Sequence, residues 1–117
     1  MTNLDVKATL QRLQTILQQH PGDSASWVAR LVLLCEQDQT ALYQALNSQR
    51  MWGGAGSIAN EALADNPGID DWSWQMAIRE FRDIMIQLGL HLKSRGHEYP
   101  DISSWVMAFN HWNQSEV

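Results

Sequence analysis

The chain contains one cysteine, three prolines, and two residues each of phenylalanine and tyrosine among 117. A lone thiol, Cys35, excludes an internal disulfide and suits a reducing compartment; its apolar neighbours Leu33 and Leu34 suggest burial. Basic side chains are also few. Eight Lys and Arg stand against thirteen Asp and Glu, a net charge of −5, which opposes non-specific nucleic-acid binding and leaves either plain solubility or a basic partner. No segment approaches the ~18 apolar residues of a membrane span. The stretch from Met1 to Lys7 lacks the basic-then-apolar order of a signal peptide. The expectations are no membrane, no nucleic acid and a cytoplasmic location. Strands are not indicated either, because no stretch alternates with period two for long enough. What is abundant is tryptophan, six residues in all, a side chain enriched both in cores and at interface anchors.

Helical periodicity fills most of the chain. Val6, Leu10, Leu13 and Leu17 make one amphipathic stripe, stopped by Pro21-Gly22 after His20. Asp23 or Ser24 can cap a second helix with two apolar rows, Trp27, Leu31, Leu34 and Val28, Val32, Cys35. That width suggests a central helix. Asp38 opens a third, through Leu42, Tyr43, Ala45 and Leu46 to about Ser48. After a short helix from Ser57 and a break at Asp65-Asn66-Pro67-Gly68, the longest periodic run begins. In it Trp74, Ile78, Phe81, Met85, Leu88 and Leu92 share a face that Ile84 and Leu90 widen. Asp70 and Asp71 at its start and Lys93 and Arg95 at its end complement the helix dipole. Gly96 stops it, and Ile102, Trp105, Phe109 and Trp112 recur in a last helix capped by Asp101 or Ser103. The prediction is an all-α, single-domain antiparallel bundle of five or six helices spanning residues 1–117.

Three of the seven glycines fall at Gly53, Gly54 and Gly56, between Trp52 and Ser57. Glycine reaches positive φ at no Cβ penalty, so a tight path or a close approach is expected there, with Ser57 as the following N-cap. Gly-Gly-Ala-Gly-Ser ahead of a helix also looks like an anion nest. The spacing and lysine of a P-loop are missing, no strand precedes the turn, and Glu61 and Asp65 would repel an anion. A structural turn is the stronger reading.

Glu61, Asp65, Asp70 and Asp71 are the densest acidic group. Their spacing matches no calcium loop, so capping and solvation, or a patch facing a basic partner, are the readings left ahead of metal. His20, His91, His97 and His111 show no metal-ligand spacing, and Cys35 has no indicated base. No cofactor is implied. Trp72 and Trp74 lie two residues apart, about 200° around a helix. One should be core and the other partly exposed or covered by a neighbouring loop, with Trp52 a further candidate for a surface aromatic.

The run Trp52-Gly53-Gly54-Ala55-Gly56-Ser57-Ile58-Ala59-Asn60-Glu61-Ala62-Leu63, with Ser26 to Leu31 before it, resembles a family of small bacterial helical proteins of uncharacterised function. That family carries a Gly-Gly-Met-Gly-Ser turn followed by an apolar residue and Asn-Asp. Here Ala55 replaces the methionine, and Ala59-Asn60 departs from the Asn-Asp pair. The resemblance spans about residues 4 to 65 and implies a turn, not an active site. Small acidic helical chains of this kind are also similar to immunity proteins, which block a cognate toxin by covering its basic or substrate-binding surface.

Together these features indicate a non-enzymatic protein-binding domain, in its sharpest form an immunity-like inhibitor. Glu61, Asp65, Asp70 and Asp71 would steer a basic surface, and Trp52 or Trp72 would anchor it. The alternatives are an anion- or small-molecule-binding domain using the glycine turn, a small enzyme gathering His97, Glu98 and Asp101, and a homodimer built on the tryptophan-rich last helix.

Overall fold

The computed structural model describes residues 4–19, 22–54, 56–61, 68–96 and 99–115. Among them the backbone is helical, in seven segments: α1 Val6–Leu17, α2 Ser24–Gln37, α3 Gln39–Leu46, α4 Gln49–Trp52, α5 Ile58–Glu61, α6 Asp71–Ser94 and α7 Ile102–Ser115. The all-α expectation therefore holds, while the count exceeds five or six. The added element is α4, a single turn between Ser48 and the glycine loop.

Local chemistry starts most of these helices. Asp5 caps α1 by accepting from the Ala8 amide at 3.0 Å, and Asp38 does the same for the Ala41 amide in α3. Asp70 caps α6 through the Ser73 amide at 2.9 Å. Asp23 precedes α2 but makes no cap bond. Its carboxylate instead pairs with Arg50 at 2.7 Å, and the same guanidinium lies 5.5 Å from the Trp27 ring centre, tying α2 to α4. Gly96, at φ +83, follows the last turn of α6 as a left-handed stop.

Two helix pairs, α1 with α2 and α6 with α7, run antiparallel, as their cross-links show. Lys7 at the start of α1 bonds Glu36 at the end of α2. Lys93 near the end of α6 reaches Ser103 in the first turn of α7 at 2.9 Å, and Arg79 reaches the Asn113 carbonyl near the end of α7 at 2.9 Å. Arg12 on α1 meets Glu80 on α6 at 3.3 Å. Thus α6 lies between α1 and α7.

The core is the sum of the predicted stripes. Leu10, Leu13 and Leu17 of α1, Leu42 and Leu46 of α3, and Phe81, Ile84, Met85, Leu88 and Leu92 of α6 are buried, each contributing about 1.5–3 kcal/mol by removal from water. Two expectations fail here. α2 is not central: only Val28 and Leu31 are buried in it, and Leu33 is exposed, because α6 takes the middle position. Leu90 does not widen the α6 core face. It is 52% exposed, since it sits at the opposite azimuth from Leu88 and Leu92.

One glycine outside the expected turn governs the packing. A Cβ at Gly89 would meet Val106 Cγ2 at 2.6 Å, Ile102 Cγ2 at 3.2 Å and the Trp52 ring at 3.4 Å. Its missing side chain is what lets α7 close onto α6 and onto Trp52.

Candidate functional site

The glycine turn is built around Trp52, which is fully buried. Its indole N–H donates to the Leu46 carbonyl at 2.8 Å, and its own carbonyl accepts from the Trp105 indole at 2.9 Å. The turn bends tightly after it. Gly54 and Gly56 adopt φ of +85 and +84, and a Cβ at Gly53 would lie 2.8 Å from the Gln49 backbone. Trp52 as a surface anchor is therefore corrected: the chain folds the ring inward because Leu46 supplies the acceptor its N–H needs.

Ser57 caps α5 as expected, accepting from the Asn60 amide at 3.2 Å, and its own amide donates to Gly54 at 3.0 Å. Both Ser57 and Ile58 are buried. The hydroxyl and that amide are spent inside the loop, and α5 is a single turn, so the turn reads as architecture.

At the start of α6 the surface is different. Trp72 is 73% exposed and Met76 50% exposed, one turn apart on the same side of the helix. Asp70 and Asp71 precede them, both exposed. The Ser73 backbone amide, then its side chain, hydrogen-bonds the Asp70 carboxylate and holds its pKa below the usual value. Trp74 is half-buried, so it is more covered than Trp72, but neither of the two is among the buried core residues. The side chain of Glu61, and all of Asp65, lie outside the described residues, as do Ala62, Leu63, His97 and Glu98. Of the predicted anchors and charges, the structure brings Asp70, Asp71 and Trp72 together.

Two features escaped sequence reasoning. Met76 falls off the core stripe and so carries no periodic signal, although its i, i+4 relation to Trp72 is local. The other is a cavity of about 600 Å³ where the start of α1 meets the ends of α2 and α6, lined among others by Lys7, Cys35, Tyr43, His91 and Arg95. There Tyr43 Oη lies 2.7 Å from His91 Nε2, and the Arg95 guanidinium sits 4.7 Å from the Tyr43 ring centre. Contacts across 48 residues carry no local signal. Cys35 is half-buried there rather than buried in the core, and desolvation pushes its thiol pKa up, which disfavours the thiolate a nucleophile would need. No group of three or more His, Cys, Asp or Glu residues among the described residues is placed to hold a metal ion. No helix of the described residues is long and apolar enough to cross a membrane.

Comparison with family models, with curated proteins and with solved structures found no match. The functional reading therefore rests on the geometry of the chain itself.

Proposed function

We propose that the protein is a non-enzymatic protein-binding domain that recognises a basic surface through the first two turns of α6. Its sharpest form is an immunity-like inhibitor that occludes such a surface on a cognate bacterial toxin. The observation that carries this reading is Trp72, 73% exposed beside Met76 and preceded by Asp70 and Asp71. Leaving a ring of that size in water forgoes its burial energy, and a partner recovers it. The neighbouring carboxylates raise the encounter rate with a cationic surface and fix its orientation.

The test is affinity capture of the tagged chain from a lysate of its source cell, at low and then high salt, with mass spectrometry of what is retained. One stoichiometric partner released by salt is expected. Trp72→Ala should weaken it at least about tenfold, as removal of a central aromatic anchor does. Asp71→Lys should slow association and flatten its salt dependence without removing the Asp70 cap. A chain that retains no stoichiometric partner, or one indifferent to both substitutions, would overturn the proposal.

A further inference from the structure

The third helix carries a polar pattern that neither the core nor the start of α6 uses. Thr40, Tyr43, Gln44 and Asn47 are spaced so that they share one side of α3 and its C-cap. With Gln39 and Arg95 they line a concavity of about 520 Å³, within the roughly 300–1,000 Å³ of small-molecule sites. Arg95, which follows the last residue of α6, is the one charged side chain in that lining.

Two of the donors are held in place before any ligand arrives. The Arg95 guanidinium lies 4.7 Å from the Tyr43 ring centre and forms no ion pair among the described residues. Tyr43 is itself fixed, buried and with its hydroxyl 2.7 Å from His91 Nε2. A guanidinium stacked by its face on a fixed ring keeps the N–H groups of its edge for an acceptor. Asn47 accepts at Oδ1 from the Tyr99 amide at 2.8 Å, which leaves Nδ2 to donate elsewhere. Gln39 is turned the other way: its Nε2 donates to the Cys35 carbonyl, so its Oε1 remains an acceptor.

The carboxylates around the start of α3 are engaged. Asp38 caps α3 through the Ala41 amide, and in the adjoining cavity Glu36 pairs with Lys7 and Asp5 caps α1. The net charge of −5 opposes any anion, but exposed charges farther than about 8 Å away are largely screened at physiological salt. The side chain in contact therefore decides.

We propose that this concavity binds a small hydroxylated molecule bearing one oxyanion group, a carboxylate or a phosphate. The oxyanion takes the two-pronged edge of Arg95, a fork that fits either group, and a further hydrogen bond from Asn47. Its hydroxyls lie against Gln39, Thr40 and Gln44. An apolar body is disfavoured, because it would strip water from these carboxamides and this hydroxyl and return no hydrogen bond. The site is separate from the start of α6 and does not rest on the protein-binding reading.

Gluconate and glucose 6-phosphate test the assignment, with glucose as the uncharged control and inorganic phosphate as the bare anion. Each is titrated into the full chain by calorimetry and by NMR of the arginine Nε–H and asparagine Nδ2 signals. At least one charged sugar should bind saturably and shift the Arg95 and Asn47 signals, and the stronger of the two identifies the oxyanion. Glucose should bind at least about tenfold more weakly, as loss of a charge-assisted contact implies. Arg95→Gln should remove the same factor, while Arg95→Lys, which keeps the charge but not the fork, should fall between. Gln44→Ala should weaken the charged sugar and leave inorganic phosphate unchanged. Arg95 and Gln44 are exposed, and circular dichroism confirms that the variants fold. No saturable binding of either charged sugar, or binding that survives Arg95→Gln, would overturn the proposal. Inorganic phosphate as tight as glucose 6-phosphate and equally indifferent to Gln44→Ala would overturn the hydroxylated ligand.

Discussion

Trp52 and Trp72 carry the same side chain to opposite ends. Around Trp52 the polar groups find partners inside the fold: the indole N–H bonds Leu46, the carbonyl accepts from Trp105, and the ring rests beside Gly89. Around Trp72 the neighbours are carboxylates and solvent, and most of the ring stays wet. A turn of three glycines pulls one tryptophan in, whereas a capped helix start holds the other out. The difference teaches where this protein keeps its stability and where it has surface to offer another molecule. The two regions are joined by α6, whose inner face packs the core and whose outer face leaves Trp72, Met76 and Leu90 exposed.

Substitutions that separate the two tryptophans should divide stability from binding. Trp52→Ala is expected to have the largest effect, about 3–5 kcal/mol of lost stability from the cavity and broken packing, measured by denaturant unfolding. A chain of ordinary marginal stability would be largely unfolded by it. Trp52→Phe is the gentler variant. It leaves the Leu46 carbonyl without its donor, at about 1–3 kcal/mol. A neutral outcome for both would mean the glycine turn does not organise the core.

Gly89→Ala comes next. Alanine is the better helix former by about 1 kcal/mol, but its Cβ would meet Val106 at 2.6 Å, an overlap costing about 1–3 kcal/mol. The clash wins, so thermal melting should fall, and adding Val106→Ala should return part of the loss. Stabilisation by Gly89→Ala alone would show that α7 does not need the close approach.

At the start of α6, Asp70→Asn tests the cap and its charge together. The Ser73 hydrogen bonds depress the folded pKa of Asp70, so its contribution is complete above the unfolded value near 4. That contribution is lost as pH falls through the lower folded value. The difference in melting temperature between the parent chain and the Asp70→Asn variant should therefore be present at neutral pH and vanish on acidification. Asp23, lowered by Arg50, and Glu36, lowered by Lys7, add to the same acid limb. A difference independent of pH would assign the effect to the amide geometry rather than the charge.

Trp72→Ala should change stability least, within about 0.5 kcal/mol as for other exposed positions, and change partner affinity most. If it melted the fold as Trp52→Ala does, the contrast between the two residues would collapse.

Much of the helix pattern was legible because capping and periodicity are local. Asp38, Ser57 and Gly96 act where their residue types predict, and Leu10, Leu13, Leu17, Phe81 and Leu88 face the core that their spacing assigns them. Leu90 and α2 depart from their hydrophobic pattern because hydrophobicity reports what could be buried, not which neighbour arrives to bury it. Of the site, Asp70, Asp71 and Trp72 were named from charge and aromatic content. Trp52 was assigned to the wrong side, since nothing in its own neighbourhood shows that the carbonyl of Leu46 will meet its indole.

The sequence by itself determined an all-helical chain, the caps, the glycine turn and the long amphipathic α6, because each depends on residues within a few positions of one another. Only the tertiary structure decided that α6 lies between α1 and α7, that Gly89 admits α7, and that Trp52 is enclosed while Trp72 and Leu90 stay exposed. Exposure is a property of what packs alongside, and that is set by contacts between residues far apart in the chain.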